Sequence, residues 1–483
     1  MLFNSLDFAI FLPIVFLLYW FVANKNLKIQ NLLIVISSYV FYGWWDWRFL
    51  SLIIFSTAVD YLIGIALLKI ENQTKRKLLL WTSIVVNLGF LGFFKYYNFF
   101  LDSFVESFSF FGSKIQGDSL DIILPIGISF YTFQTLSYSI DVYRKKLTPT
   151  TDIVAFSAFV CFFPQLVAGP IERATHLLPQ FYSRRKFEYD KAIDGMRQIL
   201  WGLFKKVVIA DNCAEYVNII FNNSESYSGS TLALGAVLFS IQIYGDFSGY
   251  SDIAIGTSKL FGFDLMQNFK FPYFSRDVAE FWRRWHISLS TWFRDYLYIP
   301  LGGSKGGTWM RIRNTFIIFI VSGFWHGANW TFVIWGFLNA LFILPSIIRS
   351  TNRKNIEVVA YGKLLPSFKD FIAIVATFLL TAFAWIFFRA DNVGHAVGFI
   401  SEIFSTSFFT IPKFVNKMPF LLTALLIFLF FTIEWLGREQ KFALESIGSN
   451  WKKRYRIIFY YSIVLVIMIF GNFKENQFIY FQF

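Results

Sequence analysis

Long apolar segments recur along this chain, and their length limits what it can fold into. At least nine stretches approach membrane-spanning length, and hydrophobic residues make up 56% of the 483-residue sequence. A helix needs roughly 20 apolar residues to cross about 30 Å of hydrocarbon. Inside a bilayer every backbone N–H and C=O group must be satisfied, which favours helices. The sequence therefore predicts an all-α, polytopic integral membrane protein with about 10–11 transmembrane helices.

The predicted transmembrane spans are distributed over the whole chain. They lie near residues 8–23, 31–45, 49–68, 78–100, 122–142, 194–222, 231–262, 315–343, 371–390, 419–436 and 457–473. The apolar segment 152–170 differs because Pro164, Gly169 and Pro170 interrupt it, and we expect a re-entrant segment there. Because no linker divides the chain, we expect one membrane-embedded domain over residues 1–483, with its core motifs at about 150–345.

The net charge of +13 has a simple source in a membrane protein. Basic residues fall in short connectors between apolar spans, as at residues 75–77 and 184–186, which is the pattern of cytoplasmic loops. The charge therefore does not indicate nucleic-acid binding. The two cysteines, Cys161 and Cys213, have no metal-ligand spacing and favour neither a disulfide framework nor a zinc site.

One histidine lies in unfavourable surroundings for a polar side chain. His326 stands between Gly323 and Gly327 near the middle of the apolar run 315–343, which has no formally charged side chain. Ionisable residues within a membrane usually face a cavity, a pathway or a partner, so His326 is a candidate site residue. As one straight helix this run would extend about 44 Å, so the span must tilt, protrude or break. Gly323 and Gly327 are the predicted break points.

A second histidine lies on a predicted amphipathic helix, residues 276–298. Trp282, His286 and Leu289 recur there at three- and four-residue steps, while charged residues lie largely off that stripe. We expect this helix to lie at the membrane interface with His286 turned toward the protein interior. His286 has two interpretations: it is a satisfied buried histidine, or it is a partner of His326.

Five strings of residues carry a resemblance to a known family. They are FFPQLVAGPI (162–171), YGDFSGYSDIAIG (244–256), FWRRWHISLSTWFRDYLYIPLGG (281–303), GFWHGANWTFVIWG (323–336) and the terminal FIYFQF (478–483). Together they resemble the membrane-bound O-acyltransferase (MBOAT) family. Within it they are similar to the bacterial alginate O-acetylation branch, with the D-alanyl transfer proteins of teichoic acids as more distant relatives. The resemblance spans nearly the whole chain.

The resemblance implies an arrangement and two catalytic positions. MBOAT proteins arrange their helices around a central catalytic tunnel, where a donor from the cytoplasmic side meets an acceptor from the other side. His326 matches the essential membrane-embedded histidine of the family, and His286 matches the second polar catalytic position. Acyl transfer from a thioester to an alcohol needs a base and a group that stabilises the oxyanion. We expect His326 to be the general base or, as the alternative, a transient acyl carrier, and His286 to orient the acyl group or polarise its carbonyl.

The resemblance also implies the reaction and its participants. An acyl group, in the first place acetyl, is expected to move from a cytoplasmic thioester donor across the membrane toward an exported acceptor, for O-acetylation of an extracellular or cell-wall polysaccharide. The donor is expected to be acetyl-CoA or an acyl carrier protein thioester, with no permanently bound cofactor and no metal. The expected partners are the lipid bilayer and a separate exported acetyl-transfer protein, without nucleic acid. The expected location is the bacterial inner (cytoplasmic) membrane, with multiple passes.

Further polar and aromatic residues near the two histidines are weaker candidates. A place along the substrate path is predicted for Asp246, Ser248, Asp252, Trp285, Trp325 and Asn329. Arg283, Arg284 and Lys305 are predicted to attract the phosphates of coenzyme A or the acidic surface of a carrier protein. The alternatives are that the two carboxylates pair with loop arginines and that the basic residues are ordinary cytoplasmic anchors.

Two other function classes stay open at this point. A membrane glycosyltransferase that uses lipid-linked sugars would need an acidic residue in an early extracytoplasmic loop, for which Asp46 is a candidate without a paired carboxylate. A polysaccharide or lipid-linked sugar transporter would have related halves with breaks at corresponding positions. The sequence has no internal repeat, and its irregular segments cluster between residues 150 and 340, which favours an enzyme centre.

Overall fold

Helices make up the regular structure of this chain. The computed structural model describes residues 1–110, 119–167, 169–413, 417–473 and 478–479, and within these ranges it contains helices and no strand. Six helical segments are long and apolar enough to cross a membrane by length and composition. They are Leu27–Lys69, Gln73–Phe108, Gly229–Leu260, Trp330–Ile348, Phe368–Arg389 and Lys417–Gly437. The expected all-α, polytopic fold is confirmed, and the predicted total of crossings stays a prediction.

Two compact units divide the chain, and each is described by itself. Unit 1 comprises Met1–Ala192 and Thr257–Met266, and unit 2 comprises Ile193–Gly256 and Gln267–Phe483. The expectation of a single domain over residues 1–483 stays a prediction. Both candidate histidines belong to unit 2, so the candidate site can be described within that unit.

In unit 1 the helices follow most of the predicted spans. The described helices are α1 (Leu6–Leu17), α2 (Leu27–Asp46), α3 (Leu50–Lys69), α4 (Gln73–Leu91), α5 (Tyr97–Phe110), α6 (Ile128–Tyr143), α7 (Ile153–Cys161), α8 (Phe163–Leu166) and α9 (Ala174–Leu177). Helix α6 begins later than predicted, because Gly127 precedes it in a left-handed conformation with φ of +76°. The interruption predicted within 152–170 is present at Phe162, between α7 and α8. Whether this segment is re-entrant stays a prediction, and Ala168 lies outside the described residues.

Unit 2 holds all of α11, most of α10 and α12, and every described helix that follows α12. They are α10 (Tyr189–Leu203), α11 (Asp211–Asn222), α12 (Gly229–Leu260), α13 (Val278–Arg284), α14 (Ile287–Phe293), α15 (Gly307–His326), α16 (Trp330–Ile348), α17 (Phe368–Arg389), α18 (Val393–Ile403), α19 (Lys417–Gly437) and α20 (Lys453–Phe470). A π-helical segment, Phe204–Ala210, joins α10 to α11 without a break. Helices α17, α19 and α20 cover the apolar segments predicted at 371–390, 419–436 and 457–473. Of the three, α17 and α19 are among the six candidate membrane spans, and a crossing by α20 stays a prediction.

The overlong run 315–343 is two helices rather than one span. The break at Gly327 is confirmed, because α15 ends at His326 and Gly327 is extended with φ of −160° and ψ of 153°. The break predicted at Gly323 is wrong, since Gly323 lies inside α15. A Cβ atom at Gly323 would collide with the carbonyl oxygen of Phe332, and one at Gly336 with that of Phe319. These paired contacts show that α15 and α16 run antiparallel with their backbones in close contact.

The continuous amphipathic helix predicted over residues 276–298 is wrong. The chain forms α13 and α14 there, separated by Trp285 and His286, and His286 adopts a left-handed conformation with φ of +43°. The cause is a competing set of backbone hydrogen bonds. Lys270 N–H donates to the carbonyl oxygen of Arg284, and Ile287 N–H donates to that of Asn268, both at 2.9 Å. The position of this segment relative to the membrane surface stays a prediction.

Candidate active site

The two histidines singled out in the sequence meet in the structure. The ring centroids of His286 and His326 are 6.4 Å apart, with an angle of 43° between the ring planes. Both are buried, at 3% and 6% exposure. The second interpretation of His286, as a partner of His326, is therefore the one that the geometry supports.

Asn268 fixes the backbone on which His286 is presented. Its side-chain oxygen accepts a hydrogen bond from the Ser288 hydroxyl at 2.9 Å, and its amide nitrogen donates to Ser251 Oγ at 3.0 Å. Asn268 is itself fully buried, so these bonds are shielded from water. The His286 ring then packs against Phe247, with centroids 4.6 Å apart, and against Phe269, at 6.4 Å and 5° between planes. No sequence pattern pointed to Asn268, because its partners become neighbours only on folding.

His326 is held in an aromatic cage at the end of α15. Its ring centroid lies 5.1 Å from that of Trp335 and 5.4 Å from that of Phe388. Trp335 in turn stacks on Trp385, at 5.5 Å and 26°. Side chains this large and rigid leave the imidazole little room for another rotamer. The cage also limits the access of water to the ring.

Burial decides the protonation of His286. This residue lies outside the six candidate spans, and desolvation lowers its pKa well below the usual range, with the neighbouring His326 as a second cause. Its imidazole is therefore neutral near pH 7. A neutral imidazole has one N–H donor and one nitrogen acceptor, so it can both orient a carbonyl group and exchange a proton.

The two predicted substrate-path carboxylates form ion pairs with buried lysines. Asp246 lies 2.7 Å from Lys206 Nζ, and Asp252 pairs with Lys205. Asp246 also accepts a hydrogen bond from the backbone N–H of Ile479 at 2.8 Å. The alternative that these carboxylates are paired is supported, but the partners are lysines of the segment Phe204–Ala210 rather than loop arginines. Residues 480–483 of the terminal string lie outside the described residues.

The other predicted substrate-path residues differ in their surroundings. Ser248 is buried at 1% exposure, and its hydroxyl has no hydrogen-bond partner among the described residues. Trp285 is buried in the aromatic cluster, with its ring centroid 5.1 Å from that of Trp385. Trp325 is partly exposed beside His326. Asn329 caps α16 by accepting from Thr331 N–H at 3.0 Å, so its first role is structural.

The three basic residues predicted to attract the donor also differ. Arg284 is buried and forms an ion pair with Glu280 at 2.8 Å, which makes it a structural residue. Arg283 is exposed and donates to the backbone carbonyl oxygens of Asn352 and Asn355. Lys305 is exposed in the connector before α15. Arg283 and Lys305 therefore keep the exposure that attraction of a charged donor requires.

The sequence did not predict a cavity that is lined in part by α15, the helix that ends at His326. Its volume is about 320 Å³, and its lining includes Arg283, Arg294, Arg311 and Arg353 together with Trp282, Phe319 and Ser322. The arginines are exposed or partly exposed, whereas Ser322 is buried. Along α15 the lining residues Thr315, Phe319 and Ser322 follow each other at three- and four-residue steps, and the next such step is His326. The lined face of α15 therefore leads to the imidazole.

A carboxylate considered for the glycosyltransferase alternative has a local structural partner. Asp46, in unit 1, forms an ion pair with Arg48 at 2.6 Å and caps the short helix that begins at Trp47. These contacts account for Asp46 without a catalytic role, and they give the glycosyltransferase class no support.

Comparison with known proteins shows which family the chain belongs to. The model of the MBOAT, membrane-bound O-acyltransferase family matches residues 143–388, a range that includes His286, His326 and the cavity-lining residues. The chain belongs to the membrane-bound O-acyltransferase family. It is therefore an O-acyltransferase, and the apolar helices make it a multi-pass membrane protein.

Relatives of this MBOAT protein carry names of three kinds. The "Probable alginate O-acetylase AlgI" of Pseudomonas aeruginosa is 42% identical over 409 residues, 84% of this chain and 75% of the relative. The "Peptidoglycan O-acetyltransferase" of Helicobacter pylori is 35% identical over 426 residues, 82% of this chain and 78% of the relative. A "Teichoic acid D-alanyltransferase" of Bacillus subtilis is more distant, at 28% over 289 residues, 57% of this chain and 71% of the relative. The predicted resemblance is confirmed.

Proposed function

We propose that this O-acyltransferase moves an acetyl group from a cytoplasmic thioester donor across the membrane to an exported acceptor, for O-acetylation of an extracellular or cell-wall polysaccharide. The observation that carries the proposal is the lined face of α15, which runs from an arginine-bearing cavity to His326. Relatives named for acetylation of alginate and of peptidoglycan support acetyl as the group and a polysaccharide as the acceptor.

The donor enters the cavity with its phosphate groups toward the arginines. Coenzyme A and the phosphopantetheine arm of a carrier protein both carry phosphate, and guanidinium groups bind phosphate through paired, charge-assisted hydrogen bonds. Both outer ends of the α15–α16 pair are basic, with Lys305 before α15, Arg313 near the start of α15, and Arg349 and Arg353 after α16. Positive connectors favour the cytoplasmic side, where such thioesters are made. Acetyl-CoA is the donor that we propose, and a carrier-protein thioester is the alternative.

His326 acts as the general base at the end of this path. One ring nitrogen takes the proton of the acceptor hydroxyl as its oxygen attacks the thioester carbonyl carbon. The new C–O bond forms, the C–S bond breaks, and the proton passes from the imidazole to the leaving thiolate. His286, neutral and 6.4 Å away between ring centroids, orients the carbonyl or donates to the developing oxyanion. The aromatic cage keeps water from competing with the acceptor.

The acceptor side involves a separate exported protein that passes the acetyl group to the polymer. We place the enzyme in the bacterial inner membrane, where a cytoplasmic thioester and an exported polymer are accessible from opposite faces. The six apolar helical segments support a multi-pass position in such a membrane.

The role of His326 can be tested in cells that make the polymer. Since general acid–base groups contribute about 10²–10⁴-fold to rate, we expect His326→Ala to reduce O-acetyl groups on exported polysaccharide to background. The measurement is base-released acetate per unit of polymer at equal membrane levels of the protein. His176→Ala is a matched control, because His176 lies in the short α9 of unit 1 and pairs with Glu172 at 2.7 Å. Normal acetylation in the His326→Ala cells would remove this residue from catalysis.

A further inference from the structure

Trp282 lines the arginine-bearing cavity and contacts the aromatic cage of His326. Its side chain lines the cavity, and its ring centroid is 5.1 Å from that of Phe319, another lining residue. The indole also contacts Trp335, with ring centroids 5.6 Å apart, and the Trp335 centroid is 5.1 Å from that of His326. Trp282 therefore forms part of the cavity wall and contacts the ring that packs on His326.

Asn339 holds the indole of Trp282 in place. The Trp282 Nε1–H donates to Asn339 Oδ1 at 3.1 Å. The Asn339 amide nitrogen donates to the carbonyl oxygen of Trp335 at 2.8 Å, one helical turn earlier on α16. The second bond fixes the amide so that its oxygen faces the indole. Asn339 is buried at 2% exposure, so the pair of bonds is protected from water and keeps the two tryptophans in register.

We propose that Trp282, positioned by Asn339, limits the transferred group to the size of acetyl. The inference rests on the proposed function, because it concerns the acyl donor in the same cavity. A packed interior does not yield freely to extra volume, so each further methylene of the acyl chain meets the indole. A pocket of this kind discriminates about 10–200-fold per methylene. Trp282 is thus a specificity-determining residue, and Asn339 is a positioning residue that acts through it.

The test compares two acyl donors in membranes that contain the full chain. Labelled acetyl-CoA and butyryl-CoA are supplied to wild type, Trp282→Ala and Trp282→Phe, and base-labile acyl label on exported or membrane-bound acceptor is counted. We expect the butyryl-to-acetyl ratio to rise at least about tenfold in Trp282→Ala, with a smaller rise in Trp282→Phe. Trp309→Ala is the control: this tryptophan lies on α15 and is 78% exposed, so the butyryl-to-acetyl ratio of the variant should equal that of wild type.

Asn339→Leu tests the positioning role with little change in volume. The leucine side chain leaves no cavity, but the indole loses its hydrogen-bond acceptor and can move aside. We therefore expect a rise in the butyryl-to-acetyl ratio through a lower KM for butyryl-CoA, while kcat for acetyl-CoA changes less. A purely structural role for Asn339 would lower kcat for both donors together. If Trp282→Ala does not accumulate, the Trp282→Phe and Asn339→Leu variants decide the question.

The outcomes separate this inference from the proposed function. Unchanged ratios in the folded Trp282 and Asn339 variants, with normal acetyl transfer, overturn the role of Trp282 and leave the acyl transfer reaction intact. Wild-type membranes that transfer no label from acetyl-CoA, or a His326→Ala variant that transfers it normally, contradict the proposed function itself.

Discussion

At the scale of single residues, His286 combines an imidazole with an unfavourable backbone. Its φ of +43° lies in the left-handed region, where a residue with a Cβ atom is strained by about 1–2 kcal/mol. Glycine would occupy this position at lower cost. Strain that persists at a buried residue often marks a functional requirement, and here the strained turn directs the ring of His286 toward His326.

Two replacements of His286 test its effect on stability and its effect on activity separately. We expect His286→Gly to be more stable than His286→Ala by about 1 kcal/mol in the free energy of unfolding, because only glycine relieves the left-handed strain. Both variants should lose acetyl transfer, since both lack the imidazole. Thermal unfolding in detergent and label transfer from acetyl-CoA give the two readouts.

An exposed residue in a similar conformation is the control for that comparison. Lys145 has φ of +58° in the turn after α6, so Lys145→Gly should be stabilised without any loss of acetyl transfer. Full activity in His286→Gly would show that the second imidazole is dispensable, and the assigned role of His286 would then be wrong.

The sequence predicted the histidine pair but not the residues that support it. His326 stood out because an uncharged apolar run surrounds it, and His286 because it shares a stripe with aromatic residues. Asn268 and Asn339 gave no such signal, because each acts by hydrogen bonds to residues that are distant in the sequence or on another helix face. The lysine partners of Asp246 and Asp252 were missed for the same reason.

At the scale of elements, the α15–α16 pair places His326 at a helix end. The sequence correctly predicted that the run 315–343 breaks, and that Gly327 is a break point. It could not tell a glycine that ends a helix from one that lets two helices approach closely. Gly323 and Gly336 are of the second kind, since each faces a backbone carbonyl of the other helix.

The segment around His286 shows a different limit of pattern-based prediction. Its three- and four-residue periodicity is helical, and α13 and α14 are helices. The backbone of residues 268–270 nevertheless takes the hydrogen bonds that would have joined them. Periodicity reports which side chains share a face, and it does not report which backbone groups find partners elsewhere.

The close contact between α15 and α16 gives a testable consequence. We expect Gly323→Ala to lower the free energy of unfolding by about 1–3 kcal/mol, because the added methyl group meets the Phe332 carbonyl. Acetyl transfer should fall with it, since the shift of α16 moves Trp335 against His326. Thermal unfolding and transfer are measured on the same preparation.

Gly398 offers a matched control within a helix of the same unit. A Cβ atom there would meet nothing within 4 Å, so Gly398→Ala should leave acetyl transfer unchanged and keep or raise stability by about 0.5–1 kcal/mol. Equal stability of the Gly323→Ala and Gly398→Ala proteins would show that the two helices have room to separate.

At the scale of the whole molecule, charge and hydropathy predicted the class of protein but not its cavity. Abundant apolar spans and basic connectors were enough to predict a multi-pass membrane protein. The cavity brings together Arg283, Arg294, Arg311 and Arg353, which come from four separate segments of unit 2. Because α15 is about 30 Å long, it connects those charges to a histidine that the sequence places in an apolar run. The sequence alone does not show this connection, because it depends on how α15 packs antiparallel to α16 in the folded chain.

The path from cavity to histidine is tested most directly by a structure of the purified enzyme with a non-hydrolysable acetyl-CoA analogue, determined in lipid or detergent. We predict that the phosphates lie among Arg283, Arg311 and Arg353, and that the acetyl carbonyl lies within about 3–4 Å of the imidazoles of His326 or His286. An analogue bound elsewhere with this cavity empty, or one whose acetyl group points away from both histidines, would contradict the proposed route of acyl transfer.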